Sequence, residues 1–164
     1  MQLKDEPAAL VLTRQPVPTF DRSKYAPAGG VAKGAYVLAD APGGKPDVML
    51  IASGSEVQHC IAAYERLKAE GVKWRVISMP SWDIFEKQSG AYKREVLPEE
   101  VKARVAVEQA ATLGWSKYVG PHGKILGMHT FGSSAPLQDL LKKFGFTADR
   151  VMAAARAALA ESRP

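Results

Sequence analysis

Apolar positions along residues 31–164 alternate between two periods. Short apolar runs stand at 34–39 (GAYVLA), 48–52 (VMLIA), 72–79 (VKWRVISM), 104–107 (RVAV) and 124–129 (KILGMH). Val48–Ala52 is apolar throughout, the pattern of a strand covered on both faces of a sheet. Over residues 56–70, Val57, Ile61, Ala62, Tyr64, Leu67 and Ala69 fall near helical spacing. Ser55 is the natural N-cap of that helix, Glu56 suits its first turn, and Gly71 is its stop.

Further helices are predicted over 81–90, anchored by Phe85, and over 111–119, with Trp115 and Tyr118 on one side. A brief helical turn is expected at 98–102. Two last helices cover 134–144 and 147–160, the first with Pro136 in its opening turn and Gly145 as its stop. Strands alternating with helices across short loops specify an α/β fold, a three-layer sandwich around a mixed, mostly parallel sheet of roughly five strands. The 34–39 run is expected at an edge, antiparallel to the rest.

Residues 1–30 differ. AALVLT at 8–13 reads as one short strand, followed by Pro16, Pro18, Pro27, Gly29 and Gly30, which deny regular helix or central strand. The expectation is a terminal strand of some preceding domain plus a linker at 1–30, and the α/β domain proper at 31–164.

Composition narrows the function classes. Forty-six per cent apolar and 24% charged residues suit one globular domain with a sizeable core. The longest apolar run, Val48–Ala52, is far too short to span a bilayer, and MQLKDEPAAL lacks the basic and apolar regions of a signal peptide, so no membrane partner and a cytoplasmic setting are expected. One cysteine, Cys60, excludes an internal disulfide and a multi-cysteine metal site, and its helical setting reads as a small buried hydrophobe. The net charge of +5 invites a nucleic-acid reading, yet 22 basic residues are dispersed among 17 acidic ones without an aromatic-interleaved stripe, which argues against it.

Ligands of open parallel sheets gather beyond the carboxyl ends of the strands. There the chain offers Ser53, Gly54 and Ser55, then SMPS at 78–81, Glu108 with Gln109, and FGSS at 131–134. Backbone N–H groups after Ser53, Gly54 and Ser55 could hold an anion at a helix start; alternatively Ser55 caps the helix and Gly54 permits a tight turn. The segment is neither a dinucleotide fingerprint nor a P-loop. His59, His122 and His129 lack metal-ligand spacing, and no Gly-x-Ser-x-Gly elbow is present, so no catalytic residue and no metal ligand is assigned. Arg14 directly follows the apolar run in LVLTRQ, where a guanidinium could clamp a phosphate or simply stand in solvent.

AALVLTRQ, IASGSEVQ, WRVISMPSWDIF, ARVAVEQA and GMHTFGSSAP, in this order and spacing, resemble transketolase along nearly the whole chain. The resemblance implies the family's C-terminal domain, a five-stranded mixed sheet that helps a homodimer assemble. The parent enzyme moves two-carbon ketol units between sugar phosphates with thiamine diphosphate and a divalent cation, magnesium or calcium. Its cofactor is bound by two other domains, so this chain is expected to hold none and to be inactive alone. LTRQ looks like the end of the pyrimidine-binding domain, and Arg14 there inherits a substrate-phosphate contact. Other readings are an autonomous nucleotide- or anion-binding module, or the same domain of a related thiamine-diphosphate enzyme.

Overall fold

The computed structural model describes residues 5–162, apart from the side chain of Ala69. The first four and last two residues of the predicted segments, and the apolar role given to Ala69, lie outside what is described. Five strands form one sheet: β1 (Tyr36–Ala39), β2 (Val48–Ala52), β3 (Trp74–Ser78), β4 (Ala103–Ala111) and β5 (Lys124–Met128), in the order β1-β3-β2-β4-β5. β1 runs antiparallel to β3 at one edge, and the other neighbours are parallel. The expected mixed sheet with an antiparallel first strand is therefore present.

Six α-helices accompany it: α1 (Val57–Leu67), α2 (Trp82–Glu86), α3 (Gly90–Val96), α4 (Ser116–Val119), α5 (Leu137–Phe144) and α6 (Ala148–Ser162). The strand period divides the core in two. Val48, Leu50 and Ala52 of β2, with Val105 and Val107 of β4, face a cluster that includes Cys60, Ile61 and Leu67 of α1 and Val151 and Ala155 of α6. Met49 and Ile51 of β2 and Ala106 of β4 face the opposite cluster, built by Phe85 of α2, Val96 of α3, and Trp115 with Tyr118 and Val119 around α4. Every residue of β2 is buried, which explains its unbroken apolar sequence. Each such buried aliphatic side chain contributes about 1.5–3 kcal/mol.

Helix signals were largely legible. Gly71 and Gly145 take left-handed conformations (φ 71° and 81°) just after their helices. Ser81 caps α2 by accepting from Ile84 N, and Phe85 is its buried anchor. Pro136 sits at the N-cap of α5, one position before the helix proper.

Four expectations need correction. Residues 8–13 form no strand: Leu10, Val11 and Leu12 are 63%, 94% and 79% exposed, because no described neighbour supplies the backbone partners a strand requires. α3 went unpredicted, since Gly90 reads as a helix stop; in fact Ser89 accepts from Tyr92 N and caps a new helix there. The predicted helix at 111–119 shrinks to Ser116–Val119, because β4 continues through a bulge to Ala111 and a turn follows. Ser55 does not cap α1: a 3₁₀ turn, Gly54–Glu56, precedes the helix, and the Ser55 hydroxyl bonds to Glu56 instead.

Candidate functional site

β2 and β4 pair in register up to Ala52 and Val107, so the residues after them, Ser53 and Glu108, meet at the carboxyl rim of the sheet. Ser53 Oγ donates to Glu108 Oε2 at 3.0 Å, and Ser55 Oγ donates to Glu56 Oε2 at 3.2 Å. Glu108 Oε1 also accepts the backbone N–H of Ala110 at 3.2 Å, which helps hold the bulge of β4. Glu56 is 6% exposed. Burial pushes its carboxyl above the ordinary carboxylate range, and the nearby charge of Glu108 pushes it the same way. Neither carboxylate forms an ion pair among the described residues.

The sequence missed this juxtaposition because Glu56 and Glu108 lie far apart along the chain. Strand order alone would have revealed it, since adjacent parallel strands of equal register deliver their following residues to one point. Chemically, the turn at residues 53–55 spends its two hydroxyls on carboxylates and presents a negative locus. An anion placed there would face both.

The other candidates separate from this point. Arg14 is exposed at a bend, beside a Thr13 Oγ1–Gln15 Oε1 hydrogen bond of 2.8 Å. Among the described residues no hydrogen bond or ion pair joins it to Ser53, Gly54 or Ser55. Cys60 is fully buried, and burial pushes its thiol well above its ordinary value, consistent with a core hydrophobe. His59 Nε2 is buried without a partner among the described residues, and desolvation lowers its pKa. Among the described residues no three His, Cys, Asp or Glu side chains converge on a point where they could hold a metal ion. Nor is any described helix long and apolar enough to cross a membrane.

Apolar side chains crowd the same rim. Leu113 and Phe131 are 87% and 98% exposed, and every residue of the edge strand β5 is only half-buried. Together, the mostly parallel sheet flanked by helices and its antiparallel first edge define a three-layer α/β domain.

Comparison with known proteins is consistent with that class. Residues 34–147 match the family described as the transketolase-like C-terminal domain. The chain is 50% identical over 159 residues to the transketolase of Halalkalibacterium halodurans, covering 97% of this chain and 24% of that protein. It is 51% identical over 156 residues to transketolase 1 of Escherichia coli K12, covering 95% and 23% respectively. A solved transketolase from Leishmania mexicana superposes with a TM-score of 0.75 at 36% identity, over 83% of this chain and 19% of that one. The chain belongs to the transketolase C-terminal domain family, and it spans about a quarter of the length of the curated relatives it matches.

Proposed function

We propose that this chain acts as the C-terminal domain of a transketolase, supporting an enzyme that transfers two-carbon ketol units between sugar phosphates in the cytoplasm. The observation that carries this is the 50% identity across 97% of the chain, confined to 24% of a transketolase. The reacting centre then belongs to other polypeptide, which would hold thiamine diphosphate and its divalent cation. The residues here do not fit that cofactor: the one strand-end turn suited to a diphosphate is lined by Glu56 and Glu108. No step of the reaction is therefore routed through this chain's rim.

The apolar residues Leu10, Val11 and Leu12 fit a strand that pairs with the sheet of the preceding domain, which gives residues 1–30 to that domain and its linker. Leu113 and Phe131 fit packing against the remaining domains or a second subunit of a homodimer. Arg14 is the single residue assigned a substrate contact, a charge-assisted bond to the substrate phosphate. A chimera tests both claims: this chain replaces the matching quarter of the H. halodurans enzyme, assayed with xylulose 5-phosphate and ribose 5-phosphate. Retained turnover is expected, and Arg14→Gln should raise KM about 10- to 100-fold with a smaller change in kcat. A folded, dimeric chimera without activity would refute the domain assignment, and an unchanged KM would refute the role of Arg14.

The alternative, an autonomous anion-binding module using Ser53, Gly54 and Ser55, is weakened by the two carboxylates that take up its hydroxyls.

A further inference from the structure

At the amino ends of β4 and β5, opposite the rim described above, lies a recess of about 220 Å³ lined by Arg104, Lys102 and His122, with Glu99 at its edge and Gly120 and Pro121 along one wall. Arg104 is half-buried, and burial lowers its pKa against the pull of Glu99 and Glu100. Three backbone carbonyls fix its guanidinium: Nε donates to Val101 O, Nη1 to Tyr118 O and Nη2 to Pro98 O, each at 2.8 Å. Among the described residues it forms no ion pair.

Arg75 shows the contrast. Its five N–H groups are all used, two on the Asp40 carboxylate and three on the carbonyls of Glu95, Val96 and Gly44. A guanidinium has five N–H donors, so among the described residues Arg104 keeps one free on each Nη nitrogen after its three bonds. Lys102 is tethered in the same manner, with Nζ donating to the Glu99 backbone carbonyl at 2.6 Å. Two cations are thus positioned by neutral acceptors, neither in an ion pair among the described residues, beside a histidine and the recess, with Glu99 and Glu100 offsetting part of their charge. A rigid fork with spare donors next to an ammonium is the donor set that receives a tetrahedral oxyanion.

We propose that this recess binds a phosphate group, either inorganic phosphate or the phosphate of a small monoester, between Arg104, Lys102 and His122. The exposed Glu99 carboxylate opposes it and sets the affinity low. The site lies at the opposite end of the sheet from the carboxyl rim and does not depend on the function proposed above.

The test is an amide NMR titration of this chain with inorganic phosphate and, separately, glycerol 3-phosphate, at constant ionic strength set with sodium chloride. Saturable shifts confined to residues 99–104 and 119–123 are expected. Lys102→Ala and His122→Ala, both at exposed positions, should each weaken binding about three- to tenfold, and Glu99→Gln should tighten it about two- to threefold. Tighter binding of glycerol 3-phosphate identifies a phosphorylated metabolite as the ligand, and tighter binding of inorganic phosphate identifies the free ion. Equal shifts with chloride alone, or identical titrations by the parent and the Lys102→Ala/His122→Ala double variant, would overturn the proposal.

Discussion

Replacing Arg75 by Met removes the polar brace that ties the end of β1 and the turn after it to the last turn of α3. The Arg75 side chain is 5% exposed, while that of its partner Asp40 is 33% exposed. The two ends of the pair therefore lose different things. Without the guanidinium, the carbonyls of Gly44, Glu95 and Val96 and the Asp40 carboxylate lose a shared donor that is itself buried. Breaking a buried pair in this way costs about 3–5 kcal/mol. Asp40→Asn keeps one oxygen acceptor, leaves three carbonyls on the guanidinium and lets water reach the site, so about 2 kcal/mol is expected. Arg75→Lys keeps the charge, but a single ammonium cannot serve Asp40 and Glu95 together, and about 2–3 kcal/mol should be lost. Urea unfolding followed by circular dichroism reads these as shifts of midpoint at constant slope. An Arg75→Met cost below about 1 kcal/mol, or an Asp40→Asn cost equal to it, would refute the asymmetry argued from burial.

Other outcomes follow from single sites. Gly34 has φ 80°, and a Cβ there would collide with the backbone of Phe85 and Ser81; Gly34→Ala should cost about 3 kcal/mol by urea unfolding, and a neutral result would contradict the close approach. Glu56 holds its proton more tightly folded than unfolded, so its stabilising contribution is present below the ordinary carboxylate range and is lost as pH rises through its raised pKa. Glu56→Gln should therefore gain stability over the parent near about pH 8 and lose that gain near about pH 4, whereas a difference independent of pH would count against a desolvated carboxyl. Val11→Thr should leave the stability of this chain within about 0.5 kcal/mol, since Val11 is 94% exposed, and a larger loss would place it in a packed contact.

The sequence conveyed what depends on local period and punctuation. Val48–Ala52 announced a doubly covered strand, and Gly71 and Gly145 marked helix ends, because those signals act within a few residues. It failed where tertiary context overrides local preference. Ser89 and Gly90 look like an ending but begin α3, and the apolar run at 8–13 has strand character without a partner strand. The candidate rim was half legible. Ser53, Gly54 and Ser55 stood out as a strand-to-helix turn, yet the carboxylates that give it a negative character come from the first turn of one element and the end of another strand. Arg104 lay inside a strand pattern and drew no attention, since its significance rests on three carbonyls brought together by folding.

A calorimetric titration of this chain with thiamine diphosphate in the presence of magnesium, run beside a turnover assay on xylulose 5-phosphate and ribose 5-phosphate, tests most directly whether the reacting centre lies outside these residues. The expected result is no saturable heat and no ketol transfer by the chain alone. Stoichiometric cofactor binding, or transfer without added polypeptide, would place the reacting centre inside these residues and contradict the assignment of an accessory domain.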